Sequence, residues 1–149
     1  MTIGDICKRE VITANSDMDA QEAARLMREH HVGGLVVIEQ RAGRAVPVGI
    51  VTDRDLVLEV LAQRVDPGSI TVGDIMSDKL QTAPDTDDLP DVLRLMSTEG
   101  VRRVVVTDEH GALEGILALD DLVSEFSDQL ALLSRLIERE QKAEKLHRH

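Results

Sequence analysis

The chain is 149 residues long, 42% hydrophobic and 30% charged, enough for one compact domain or for two small units that share a core. A formal net charge of −11 and a single aromatic residue, Phe126, argue against nonspecific binding to nucleic-acid phosphates or anionic membranes, and against the ring-stacking platforms that hold single-stranded nucleic acid. One cysteine excludes an internal disulfide, and the sequence has neither an apolar run of ~20 residues nor a secretory leader, so a cytoplasmic location is expected.

In chain order, "TIGDI" at Thr2 to Ile6 opens the sequence and returns as "TVGDI" at Thr71 to Ile75, 69 residues later. A short strand is predicted near Val11-Ile12. A helix follows whose buried face is Ala20, Ala23, Ala24 and Met27, spaced i, i+3, i+4, i+7. Asp19 stands at its start, where a carboxylate suits the positive end of the helix dipole. "GLVVI" and "VGIV" predict two strands joined by the loop "EQRAGRAVP", and a second helix follows "TDRD". The turn "DPGS" at Asp66 to Ser69 marks a linker.

The second copy repeats this order. A strand is predicted near Gln81-Thr82, then a helix with Asp88 at its start and Leu89, Val92, Leu93 and Met96 on its buried face. The strands "RVVVT" and "EGIL" are joined by the shorter "DEHGALE", a length change confined to a polar hairpin where insertions cost least. Each copy is a β-α-β-β-α unit too small to cover its own sheet. The predicted fold is therefore α+β, two units packed pseudo-symmetrically through their sheets. Beyond Asp120 there is no Gly or Pro, and Leu122, Phe126, Leu130, Leu133 and Ile137 recur at spacings of 4, 4, 3 and 4. That tail predicts a long amphipathic helix, reaching ~40 Å if helical to Arg148. It either folds back on its own module or forms a subunit interface, and the second alternative is preferred.

The frame Gly-Ile-x-x-x-x-Asp-Leu at Gly49 to Leu56 recurs at Gly115 to Leu122, with Thr52 replaced by Ala118. Tandem β-α-β-β-α units closing on this frame resemble a pair of cystathionine-β-synthase (CBS) domains, a Bateman module, of the kind found in small stand-alone bacterial proteins. The boundaries implied are 1–65 and 66–125 for the two repeats and 126–149 for a helical extension.

The resemblance implies a regulator that binds an adenine nucleotide or related adenosyl ligand between the repeats. In the main cleft, Asp55 would accept hydrogen bonds from ribose hydroxyls, and Thr52 would lie near the sugar and phosphate. The other repeat would supply Thr82, Ala83 and Pro84 after its first strand, then Val101, Arg102 and Arg103 opening its second. Ile50 and Val101 would wall the adenine, and Arg54 would lie beside the cleft. Arginine suits phosphate through its planar donor fork. The residue types leave other roles open: Thr-x-x-Asp is also a helix-start signature, and each Arg could be a solvated charge.

The second, degenerate cleft would combine Ile116, Ala118 and Asp121 with Thr13, Ala14, Val32, Gly33 and Gly34. Glycines stand where the main cleft has arginines. That cleft is expected either to stay empty or to take an uncharged adenosyl group.

No catalytic constellation or metal-ligand set is visible. Cys7 has no His at ligand spacing, and adjacent His30 and His31 point about 100° apart on a helix. The expectation is a non-enzymatic sensor of AMP, ADP, ATP, NAD or S-adenosylmethionine, a homodimer with an unknown protein partner, without nucleic acid or membrane. The alternative is a fold-retaining protein–protein interaction module of a stress response that binds no nucleotide.

Overall fold

A computed structural model of the protein describes residues 1–147. The helices are α1 (Ile3–Ile6), α2 (Ala20–His30), α3 (Asp53–Asp55), which runs into a π-helical turn at Leu56–Leu61, α4 (Val72–Ile75), α5 (Leu89–Glu99) and α6 (Leu119–His147). The strands are β1 (Thr13–Asn15), β2 (Gly34–Arg41), β3 (Arg44–Thr52), β4 (Thr82–Pro84), β5 (Arg103–Thr107) and β6 (Leu113–Ala118). They form two three-stranded sheets, β1-β2-β3 and β4-β5-β6. β1 runs parallel to β2, β2 antiparallel to β3, and β4 parallel to β5. The first strand of the first repeat begins slightly later than Val11-Ile12 predicts, at Thr13, and that of the second begins at Thr82, within the predicted pair. The α+β fold of a tandem pair is otherwise as expected.

Why β2 is central follows from its composition. Leu35, Val36, Val37 and Ile38 are all buried, so alternate side chains serve two cores. Leu35 and Val37 pack with Ala20, Ala23 and Met27 of α2. Val36 and Ile38 pack instead with Val105 of β5, and Ile50, Leu80, Leu113 and Ile116 complete this seam between the sheets. Each such burial is worth about 1.5–3 kcal/mol.

The opening helix of each copy is bonded to the other copy. The amides of Ile3 and Gly4 donate to the carbonyls of Asp87 (2.9 Å) and Asp85 (3.0 Å), and those of Val72 and Gly73 to Met18 (2.7 Å) and Ser16 (2.8 Å). Two backbone exchanges then lock the seam: Ile50 with Ser77 (3.1 and 2.9 Å) and Ile116 with Lys8 (2.9 Å both ways). The glycines of the repeated frame precede these exchanges because nothing larger fits. A Cβ on Gly49 would lie 2.7 Å from the Ser77 carbonyl oxygen, and one on Gly115 2.6 Å from that of Lys8.

The local signals act as their residue types dictate. The Asp19 side chain accepts from the Glu22 amide at 2.8 Å, whereas Asp88 caps α5 without such a bond. The longer hairpin of the first repeat turns through Ala42 and Gly43, both at positive φ, and the shorter one through Gly111. There the amides of His110 and Ala112 donate to Asp108 Oδ1 and hold its carboxyl below the usual range.

The chain forms two compact units, Met1–Leu117 and a second that begins at Ala118. The second is essentially α6. Its exposed stripe differs from the predicted one: Leu122 is buried, while Leu119, Val123, Phe126, Leu130, Leu133 and Ile137 are exposed. Arg148, to which the sequence extends this helix, and His149 lie outside the described residues. No helix among the described residues is long and apolar enough to cross a membrane.

Gly49→Ala and Gly115→Ala should each lower the urea midpoint, costing about 1–3 kcal/mol as overpacking does. Gly68→Ala is the control, because its Cβ would meet nothing closer than Asp66 Oδ1 at 3.6 Å. It should change stability by less than about 0.5 kcal/mol.

Candidate functional site

Strand alternation places the residues predicted for the main cleft. Ile50 lies on the seam face of β3, so Thr52, two residues on in extended backbone (φ −117°, ψ 166°), shares that face. Val105 lies on the seam face of β5, so Arg103, two residues earlier, shares that face too. Each stands about 7 Å along its strand from a seam residue, at ~3.3 Å per residue. β4 pairs with β5 in the register Thr82 to Val105, which sets Thr82 and Pro84, both exposed, on the strand beside the arginine-bearing one. Ala83 between them is buried (2% exposed) and stands behind them. Val101 is half-buried, and Arg102 and Arg103 are exposed. Arg54 is exposed in α3. The guanidinium groups of Arg54 and Arg103 make no hydrogen bond or ion pair among the described residues.

The Thr52 hydroxyl has a definite local role. The Asp55 amide donates to Thr52 Oγ1 (3.2 Å), and the Thr52 amide donates to Asp55 Oδ2 (2.8 Å), a reciprocal capping box. Both residues are half-buried. The same box caps the start of α4 through Thr71 and Asp74, and Asp5 accepts from the Thr2 amide at the start of α1. Thr-x-x-Asp is thus a general helix-start device in this chain, and its spacing alone does not mark a ligand site. The box uses one acceptor position of each side chain. A carboxylate has about four, so Asp55 retains capacity toward a hydroxyl.

The residues predicted for the second cleft divide between the two compact units. In the first, Thr13 is half-buried, Ala14 is buried, and Val32, Gly33 and Gly34 connect α2 to β2. A Cβ on Gly33 would lie 3.3 Å from the Asp53 carboxylate. Ile116 is fixed by its exchange with Lys8. In the second unit, Ala118 and Asp121 are half-buried at and just beyond the end of β6.

Sequence reasoning missed an acidic cluster at the edge of the seam. Glu114 lies beside Asp85, with Arg9 Nη1 3.4 Å from its Oε2. A hydrogen bond between the two carboxyl groups, together with partial burial and the Asp85 charge, pushes the Glu114 carboxyl above its usual range, against the pull of Arg9. Residues 9, 85 and 114 are too far apart in sequence for any spacing to have signalled this. Burial likewise pushes the Cys7 thiol up despite the neighbouring Arg9, so the flanking bases do not activate it. A separate cavity of about 520 Å³ opens between α2 and the π-helical turn, lined mainly by Ala20, Ala24, Leu56, Val60 and Leu61 with Arg64 at its rim. It contains none of the predicted site residues. No group of three or more His, Cys, Asp or Glu side chains suited to a metal occurs among the described residues.

Thr52→Ala should destabilise the protein by about 0.5–2 kcal/mol in urea titration, and Thr52→Ser should keep most of the cap. The raised Glu114 pKa means that the folded state holds this proton more tightly than the unfolded state. The stability gained is present below the unfolded value and is lost as pH rises through the folded one. In a carboxyl NMR titration, Asp85→Asn should return the Glu114 midpoint towards the ordinary glutamate value and flatten stability against pH in that window.

Two separate segments, residues 3–62 and 72–128, match the pattern of the CBS domain. The CBS domain-containing protein YhcV of Bacillus subtilis is 36% identical over 131 residues, covering 87% of this chain and 89% of YhcV. A protein of Methanopyrus kandleri is 33% identical over 123 residues, and there the match covers only 61% of the relative's length. The solved CBS domain pair of MJ0100, in complex with 5′-methylthioadenosine and S-adenosyl-L-methionine, superposes with a TM-score of 0.70 at 26% identity, covering 87% of this chain and 98% of that one. Hypoxic Response Protein I with two coordinated zinc ions superposes at 0.69 with 31% identity, covering 83% and 98%. With both repeats matched and the seam between their sheets in place, this chain belongs to the CBS-domain family as a tandem pair.

Proposed function

We propose that the protein is a non-enzymatic sensor that binds an adenine nucleotide at the seam between its repeats and acts as a homodimer in the cytoplasm. One observation carries this reading: the seam-face strand positions bearing Thr52 and Arg103 flank Ile50 and Val105, which meet in one apolar cluster. That arrangement offers aliphatic walls for a base, a half-buried carboxylate for ribose hydroxyls, and the Arg54 and Arg103 guanidinium groups, which have no partner among the described residues, for phosphate. In a chain of net charge −11 an anion needs such a basic spot. The adenosyl ligands of the MJ0100 pair support the ligand class. The hexameric CBS-CP12 protein, 28% identical with a TM-score of 0.68, supports self-association as a property open to this fold.

AMP, ADP, ATP and NAD are favoured over S-adenosylmethionine, because Arg54 and Arg103 are cations without partners among the described residues. A ligand would regulate only through its differential affinity for two arrangements of the module. A second reading, an interaction module without nucleotide, is favoured by the capping box, which already gives Thr52 and Asp55 a structural use.

Calorimetry separates the two. Binding of an adenylate in the micromolar to millimolar range is expected, and absence of heat with all four nucleotides at millimolar concentration would leave the interaction module standing. Arg103→Ala should weaken AMP at least about tenfold, from the loss of a charge-assisted hydrogen bond, while leaving adenosine affinity unchanged. Asp55→Ala should weaken both ligands, with its fold checked by urea titration because the cap is also lost.

A further inference from the structure

Helix α6 carries an apolar seam that α6 itself leaves uncovered. Leu119, Val123, Phe126, Leu130, Leu133 and Ile137 follow at spacings of 4, 3, 4, 3 and 4, the alternation of the two core positions of a heptad repeat. All six are exposed, from 37% for Leu119 and Phe126 to 66% for Leu130. The period of 3.5 residues suits a second helix of the same pattern, and exposed Leu132 and Leu136 widen the seam beside Leu133 and Ile137. The seam stops at Glu140 and Glu144, which occupy its next two positions.

Charge along the helix selects the occupant and its direction. Residues 119–131 carry four acids (Asp120, Asp121, Glu125, Asp128) and no base, a net of −4. Residues 132–147 carry four bases (Arg135, Arg139, Lys142, Lys145) against three acids (Glu138, Glu140, Glu144), a net of +1. Two copies side by side in parallel would set the acidic halves together. Antiparallel, each acidic half meets a basic half. The seam also permits only certain registers. Pairing about residue 128 brings Leu119 opposite Ile137, Val123 opposite Leu133 and Phe126 opposite Leu130, so every seam residue meets another.

We infer that α6 pairs with α6 of a second copy of this chain as an antiparallel coiled coil centred on residue 128. The inference rests on the homodimer reading above and supplies its geometry. The neutral surface residue Gln141 then lies 13 residues from the centre, and two such positions stand about 40 Å apart along the pair at 1.5 Å per residue. In a parallel pair they would face each other across one helix diameter, about 10–12 Å.

The experiment uses the full chain with Cys7→Ser and Gln141→Cys, spin-labelled, for distance measurement by electron spin resonance, alongside sedimentation of the unlabelled wild type. A dimer with label separations near 40 Å is expected. Leu130→Glu, at an exposed position that does not threaten the fold, should weaken dimerisation at least about a hundredfold and leave adenylate affinity unchanged. A dimer with label separations below about 20 Å, or one indifferent to Leu130→Glu, overturns the antiparallel seam while the homodimer reading stands. A monomer at high micromolar concentration overturns both. Neither result bears on nucleotide binding, which calorimetry reads separately.

Discussion

The two backbone exchanges at the seam, Ile50 with Ser77 and Ile116 with Lys8, are what the rest of the first unit depends on. β3 is an edge strand of its sheet, and an uncovered edge would present unpaired amides and carbonyls to solvent or to other chains. Here the segment that opens the other repeat covers that edge. The apolar cluster of Val36, Ile38 and Val105 closes behind it. Each repeat therefore finishes the other, and a half-molecule would lose backbone partners as well as buried area. Two glycines make the close approach possible, because a single methyl group at either would meet a carbonyl oxygen.

Much of this was legible in the sequence because periodicity reports burial. The spacing of Ala20, Ala23 and Met27 and the run Leu35 to Ile38 gave the helix and the central strand, and the repeat of "TIGDI" as "TVGDI" gave the duplication. What the repeat could not show is where each opening helix docks. Gly4 and Gly73 look like parts of their own units, yet their amides bond Asp85 and Ser16 of the other. Such long-range backbone pairing leaves no local signature. The same is true of the acidic pair Asp85 and Glu114. The stripe on α6 was placed one residue off at its start, because Leu122 and Val123 are both apolar and only burial distinguishes them.

The candidate site was legible as a set of residue types and less so as a set of roles. Thr52 and Asp55 were named from the closing frame, and they do lie together. Their bond to each other is the same cap that Thr71 and Asp74 make, so geometry gives the pair a structural use whether or not a ligand arrives. Arg103 is more telling. It spends a cation on the seam face without a protein partner among the described residues, whereas Arg25 pairs with Glu22 and Glu29 and Arg94 with Asp91. The asymmetry between repeats follows. Gly33 and Gly34 stand where the other copy has Arg102 and Arg103, and a glycine offers an anion no charge.

The central claim, that an anionic adenosyl guest sits where the two sheets meet, is tested most directly by adding AMP to isotope-labelled protein and following the backbone amides by NMR. The account predicts that the amides of Thr52 to Asp55, of Thr82 and of Arg103 move together along one saturable curve, while those of the hairpin turns at Ala42, Gly43 and Gly111, at the opposite strand ends, stay nearly still. Shifts confined to other residues, or none at millimolar AMP, would contradict it.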